Sequence, residues 1–161
     1  MPPMLRLWET GGESAWIDSF RHRMLFRPRY SEIDSYGHVG NVVYPTIFEA
    51  GRMEYLADVG DPEWHEGLIF AFGHVVAEQH VRYIARCFFN EEYNVLTKIG
   101  ELGHSSATME QAIVGPDGSL RAIARTVIVH NDGHETKPWT DAQSRAISEY
   151  EGFVTAAVRE F

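Results

Sequence analysis

Residues 33–44 read Ile33-Asp34-Ser35-Tyr36-Gly37-His38-Val39-Gly40-Asn41-Val42-Val43-Tyr44, and the fold turns on what this stretch runs into. Ser31, Asp34, Ser35, Gly37 and Gly40 are residues that bond locally or take unusual φ, so 31–40 reads as turns. Beyond them Tyr44, Ile47, Phe48, Tyr55, Leu56 and Val59 recur mostly at three- and four-residue spacing, which predicts a helix over 43–59. Asn41 or a neighbour can cap it. Pro45 falls in the first turn, where its missing N–H does no harm, and Gly60 is placed to close the helix. Gly51 in the interior gives up about 1 kcal/mol relative to Ala. Something must pack very close to the helix there.

Working outward, Arg21 to Tyr30 alternates His22, Met24, Phe26, Pro28 against Arg23, Leu25, Arg27, Arg29, an edge strand by its proline. Four more strands follow the helix. Val75, Ala77, Gln79, Val81 and Tyr83 alternate with Val76, Glu78, His80 and Arg82, and this pattern puts His74 and His80 on one face. Tyr93 to Ile99 alternates likewise, and the stretches 104–114 and 120–130 flank Gly115-Pro116-Asp117-Gly118, a hairpin signal. From Thr140, a plausible cap, apolar residues at helical spacing through Phe161 predict a C-terminal helix over about 138–161. One long helix against five sequential antiparallel strands is an α+β layout. Its sheet edges favour pairing with a second copy.

The chain has 161 residues, enough for one domain whose core buries roughly 70% of the unfolded surface. Residues 1–20 read as a leader broken at Gly11-Gly12, with Trp8, Trp16, Ile17 and Phe20 available to pin it, and 21–161 as the single domain. Hydrophobic residues make up 44% and charged residues 23%, which excludes disorder, and no apolar run approaches the length of a membrane span. The net charge of −9 argues against nucleic acid, whose binders carry basic stripes. Cys87 is the single cysteine, so a reducing compartment is expected, and with no apolar signal segment the cytoplasm follows.

Chemically, the Asp34–Tyr44 stretch sets a carboxylate and an imidazole in a loop that runs into a helix N-terminus. Free N–H groups and the positive dipole end there would polarise a carbonyl and hold an oxyanion. Asp34 would attack the carbonyl carbon or activate water, with His38 beside it. The plain alternative is that Asp34 only closes an Asx-turn. Cys87 reads as a buried, inert residue. His130 and His134 have ligand-like spacing but sit at a strand end, and no metal site is expected. No Gly-x-Ser-x-Gly elbow or phosphate-binding Gly-Lys-Ser/Thr loop is present. Arg82, Arg86, Arg121 and Arg125 form either solvated strand faces or a local basic patch.

Asp34-x-x-Gly37-His38-Val39-x-Asn41-x-x-Tyr44, followed by Phe48-Glu49-x-x-Arg52, resembles the hot-dog-fold acyl-CoA thioesterases related to 4-hydroxybenzoyl-CoA thioesterase. The likeness continues through Val75–Arg86, Leu102-Gly103-His104-Ser105-Ser106 and Asp117-Gly118, over roughly residues 22–132. It implies a five-stranded antiparallel sheet wrapped round one central helix, plus the C-terminal helix. It implies Asp34 as the catalytic carboxylate, with His38, Asn41 and Tyr44 completing the site and the backbone near Asn41 and Val42 polarising the thioester. Glu49 is the rival carboxylate, since some members take theirs from the helix; otherwise Glu49 and Arg52 are an i,i+3 surface pair. Arg82 and Arg86 would meet the CoA phosphates.

The expectation is an acyl-CoA thioesterase without metal or other cofactor, a homodimer or homotetramer. A hydratase or dehydratase on the same fold is the alternative enzyme, although the Asn-Pro that marks such enzymes is absent. The third reading is a non-catalytic acyl-CoA-binding module. Trp64, Phe70, Phe72, Phe88 and Phe89 suit either an aryl or an aliphatic acyl group.

Overall fold

The computed structural model describes residues 12–60 and 73–153. In chain order these form helix α1 (Gly12–Asp18), strand β1 (His22–Phe26), two single 3₁₀ turns (Tyr30–Glu32 and Asn41–Val43), helix α2 (Tyr44–Val59), strands β2 (His74–Tyr83), β3 (Tyr93–Leu102), β4 (Ser106–Val114) and β5 (Leu120–His130), and helix α3 (Asp141–Glu151). The strands make one antiparallel sheet in the order β1-β3-β4-β5-β2, so β1 and β2 are its edges. Helix α2 lies across the inner face, against β3 and β1.

Alternation in the strands builds two apolar layers. On the inner face Tyr44, Ile47 and Phe48 pack on Tyr93, Val95, Ile113 and Ala124, and further along the helix Tyr55 and Leu56 pack on Ile99, Met109 and Ile128 with Trp139 and Ile147. On the outer face Trp16 and Phe20 cover Leu96, Ala112 and Ile123. Their rings meet edge to face at 4.8 Å, so the second half of the 1–20 segment is tied to the sheet.

Between the two inner clusters runs a buried polar row. His22, Thr97 and Gln111 stand in cross-strand register on β1, β3 and β4. The Gln111 amide donates to the Phe48 carbonyl at 2.8 Å and to the Thr97 hydroxyl at 3.0 Å. Gly51 sits directly above: a Cβ there would stand 2.9 Å from Val95 Cγ1 and 3.1 Å from both Gln111 Nε2 and Thr97 Oγ1. This is the close approach that a glycine in mid-helix implied.

Several expectations change in detail. The Asn41 side chain caps nothing: a 3₁₀ turn beginning after Gly40 leads into α2, whose N-terminal flank is Val43, with no side-chain cap bond at either. Strand β1 ends at Phe26, short of Pro28. The C-terminal helix is capped by the Thr140 side chain as expected, but stops at Glu151, because Gly152 takes φ +72° and turns the chain out. The largest revision is in β2. A bulge at Ala77 shifts the register, with Val76 opposite Ile128 and Glu78 opposite Val127. Val76 therefore joins Gln79, Val81 and Tyr83 on the inner face, and His74 and His80, paired with His130 and Arg125, lie on opposite faces. Trp8, Trp64, Phe70, Phe72 and the residues from Val154 onward lie outside the described residues.

Candidate active site

The Asp34 loop is a small hairpin. Ile33 bridges Val39, the Asp34 amide donates to the His38 carbonyl at 2.9 Å, and the Gly37 amide to the Asp34 carbonyl at 3.0 Å. Gly37 takes φ +82°, the left-handed step that a three-residue hairpin loop needs. The Asx-turn is present: Asp34 Oδ1 accepts the Tyr36 amide at 2.8 Å. It occupies only that oxygen. Oδ2 lies 3.8 Å from His38 Nδ1, and both side chains stay partly exposed. His38 Nδ1 is also 3.1 Å from the Val39 carbonyl, which can only accept, so the proton belongs on Nδ1 and Nε2 is left as an acceptor in the neutral ring. Tyr36, 85% exposed, stacks on the His38 ring.

Two strands of contact carry this loop to the helix start. The Val39 amide donates to the Cys87 carbonyl at 2.9 Å and the Gly40 amide to the Glu32 carbonyl at 3.1 Å. A Cβ on Gly40 would stand 3.7 Å from the Asp34 Cβ, so the carboxylate abuts the residue from which the 3₁₀ turn begins. The next two amides, of Asn41 and Val42, find no acceptor among the described residues, and both residues are exposed. Unclaimed donors at a helix start beside a carboxylate are what carbonyl polarisation requires.

Tyr44 is less open than its neighbours. It is buried, its ring meets Tyr83 edge to face at 5.1 Å, and burial with the Cys87 contact pushes its phenol well above the ordinary range. Tyr83 escaped the sequence reading as a site residue; its hydroxyl donates to the Asn41 carbonyl at 3.0 Å and braces the turn. Only its place as the last residue of a strand marked it. Cys87 is buried, and burial raises its thiol, in keeping with an inert role. Several apolar side chains are exposed in the segments that flank the loop and the end of β2: Tyr30 and Phe89 pair edge to face, with Val42, Ile84 and Phe88 also open.

Other candidates fall elsewhere. Glu49 is exposed and makes no hydrogen bond or ion pair with the loop among the described residues. The Glu49–Arg52 surface pair does not form: Arg52 is only 3% exposed and donates instead to Gln111 Oε1 at 3.3 Å. Burial lowers its guanidinium from the ordinary range, and the charge of Glu49 works against that. The four arginines do not form one patch. Arg121 is tied to the Arg86 carbonyl and to Asp117, while Arg125 stands opposite Glu110 and 4.0 Å from Glu78. Arg82 and Arg86 have no ion-pair partner among the described residues. Arg82 pairs with Ile123 and so lies on the outer face, while its neighbour Tyr83 faces inward to the Asn41 turn; Arg86 precedes Cys87, whose carbonyl accepts the Val39 amide. A depression of about 330 Å³ on the outer face holds Lys98, Glu110 and Arg125, charges that answer one another across the strands. No group of three or more His, Cys, Asp or Glu that could hold a metal is found among the described residues, nor a helix able to cross a membrane.

The model of the thioesterase-like superfamily matches residues 28–147. The chain belongs to that superfamily. It carries the hot-dog thioesterase fold, with a five-stranded antiparallel sheet around a long helix, and is by family a thioester hydrolase. A thioesterase from Thermus thermophilus, solved with coenzyme A and zinc, is 28% identical and superposes with a TM-score of 0.74, covering 85% of this chain and 98% of its own. An Asp-to-Asn variant of 4-hydroxybenzoyl-CoA thioesterase, solved with 4-hydroxybenzoyl-CoA, is 18% identical with a TM-score of 0.67, over 79% of this chain and 98% of its own; it shows the fold alone. An uncharacterized Bacillus subtilis protein, YsmA, is 25% identical over 82% of this chain and 88% of its own length.

Proposed function

We propose that this thioesterase hydrolyses an acyl-CoA to the free acid and CoA, with Asp34 as nucleophile or general base. The observation that carries the reading is the juxtaposition of Asp34 with Gly40, at the head of the turn whose Asn41 and Val42 amides are unclaimed among the described residues. A thioester carbonyl placed on those amides presents its carbon to the Asp34 side. The developing oxyanion meets two N–H donors and the positive end of α2. His38 Nε2, as an acceptor, takes a hydrogen bond from water, and the proton that water gives up on attack leaves on the CoA thiol. Tyr44 and Tyr83 form the wall behind the turn. Glu49 is the reserve carboxylate.

Arg82 and Arg86, free of ion pairs among the described residues, are the groups we assign to the CoA phosphates. They give an anionic ligand a local hold against a net charge of −9. The unit that does this chemistry is residues 21–161, with the 1–20 segment attached through Trp16 and Phe20. The exposed Val75 and Tyr83 on edge strand β2 support pairing with a second copy, as dimer or tetramer. A single buried cysteine suits the cytoplasm.

The decisive experiment is Asp34→Asn with free-thiol release measured across a panel of acyl-CoAs. The amide oxygen of Asn still accepts the Tyr36 N–H, so the turn persists. Turnover is expected to fall on the order of 100-fold or more. Wild-type turnover in the variant would remove Asp34 from the mechanism.

A further inference from the structure

Arg52 is buried with no ion-paired carboxylate among the described residues; the acid whose charge acts on it is Glu49, exposed and one helical turn away. A guanidinium has five N–H donors and stays protonated in proteins. Here one donor is used, in the 3.3 Å bond to the neutral Gln111 amide. The Nε–H is buried with no partner, and no carboxylate lies within 4.0 Å among the described residues. Breaking up a buried ion pair is strongly destabilising because it leaves such a charge uncompensated. A fold that retains one has a reason to.

The place of Arg52 suggests the reason. It lies eight residues beyond Tyr44 on α2, about 12 Å along the axis from the start that polarises the carbonyl. Helix α2 covers β1 and β3, and Arg52 reaches past them to Gln111 on β4. Next in the same register row come Ala124 on β5, a small residue, and Val81 on β2. One step along, Gln79 of β2 donates to the Thr126 hydroxyl of β5. On this side of α2 the sheet floor is thus polar, with Gln111, Thr126 and Gln79 where a purely aliphatic tail would want apolar residues. Glu54 and Asp58, at the other end of the row, lie 3.6 and 3.3 Å from His22 Nε2.

We infer that Arg52 recognises an anionic terminus on the acyl group, so that the enzyme prefers acyl-CoAs whose acyl chain ends in a carboxylate. The inference rests on the thioesterase reading above and names its substrate class. A carboxylate reaching Arg52 would accept the idle Nε–H and a second guanidinium N–H in the bidentate geometry that arginine favours. Arg52 is therefore a specificity residue, distant from the bond that breaks.

The test compares glutaryl-, adipyl- and suberyl-CoA with pentanoyl-, hexanoyl- and octanoyl-CoA, using thiol release by the full chain. Wild type is expected to favour the carboxylated member of at least one pair by roughly 10- to 100-fold in kcat/KM. Arg52→Gln should erase that preference while leaving turnover of the neutral partner within a few-fold, and Arg52→Lys should restore part of it. Hydrolysis of neutral substrates with no preference for any carboxylated partner overturns the inference and leaves the thioesterase reading standing. Equal loss on both substrate types in a folded Arg52→Gln variant overturns it too, since a merely structural arginine would behave so. Should Arg52→Gln fail to fold, the wild-type comparison and Arg52→Lys decide. Thiol release from none of the six overturns this inference, and aryl-CoAs in the same assay then decide whether the thioesterase reading stands.

Discussion

Gly51→Ala puts the helix–sheet packing to a quantitative test. In an isolated helix the change is worth about 1 kcal/mol in favour of Ala. Here the new methyl would stand 2.9 Å from Val95 Cγ1, a distance at which something must move. Val95 is fully buried on β3 and β-branched, so its rotamer has little freedom. The other near atoms are no softer. Gln111 Nε2, at 3.1 Å, is held by the Phe48 carbonyl and Thr97 hydroxyl, and each bond lost costs about 1 kcal/mol net. Overpacking a tight core costs about 1–3 kcal/mol. With one of those bonds lost and the propensity gain set against the sum, the balance is a net destabilisation of about 1–3 kcal/mol. For a domain of this size that lowers Tm by about 2–12 °C. Thermal and urea unfolding of wild type and variant read it directly. A variant as stable as wild type, or more stable, would show that the Gly51 notch is not tight and that the polar row does not fix the height of α2 over the sheet.

Two further perturbations probe other parts of the molecule. Trp16→Ala strips the outer-face cluster, which should cost about 3 kcal/mol in urea unfolding; because that face lies opposite the Asp34 loop, kcat below the melt should hold, and a collapse of kcat at unchanged stability would contradict the assignment of α1. Glu151 is pushed above its ordinary 4.5 by burial, while its Oε1 accepts from the Tyr55 hydroxyl and the Ile99 amide at 2.5 and 3.0 Å. A carboxyl raised in the folded state adds stability that is complete below 4.5 and is lost as pH climbs through the folded value. Glu151→Gln keeps the acceptor and should flatten the slope of unfolding free energy against pH above 4.5; an unchanged slope would place the titration elsewhere.

The parts of the fold that were legible share one property: a single residue type enforced a single backbone event. Gly37 required a left-handed step, Gly60 and Thr140 ended and began helices, and Gly115 to Gly118 made a hairpin. Gly152 belongs to the same class, yet the apolar spacing that continues to Phe161 outweighed it, and the chain turned out at the glycine. The site was readable for the same reason. Asp34, Gly37 and Gly40 lie within one hairpin and its exit, so short-range sequence order already brings carboxylate and helix start together. What escaped was set between strands. The bulge at Ala77 turns His74 to the face opposite His80, and nothing in the alternation of β2 announces it. A one-residue shift exchanges the two faces of everything beyond it.

Arg52 was misread for a different reason, and its correct placement was available. The pair rule that joins Glu49 to Arg52 assumes that both point to water. Yet Arg52 stands four residues after Phe48 and three before Tyr55, both fully buried, so it occupies the middle of the apolar stripe of α2. Gln111 sits between Met109 and Ile113 on the inner face of β4 in the same way, and His22 precedes Met24 and Phe26 on β1. Each is a polar residue at a position the pattern reserves for apolar ones. Taken singly, each is a blemish in the periodicity of one element. Register turns His22, Thr97 and Gln111 into a single row beneath Gly51, with Arg52 resting on its Gln111 end. A row of this kind costs stability unless its members satisfy one another. His22 has Asp58 and Glu54 nearby, yet neither of its buried ring nitrogens makes a hydrogen bond among the described residues; Thr97 and Gln111 have each other, and the Arg52 Nε–H is left over as well.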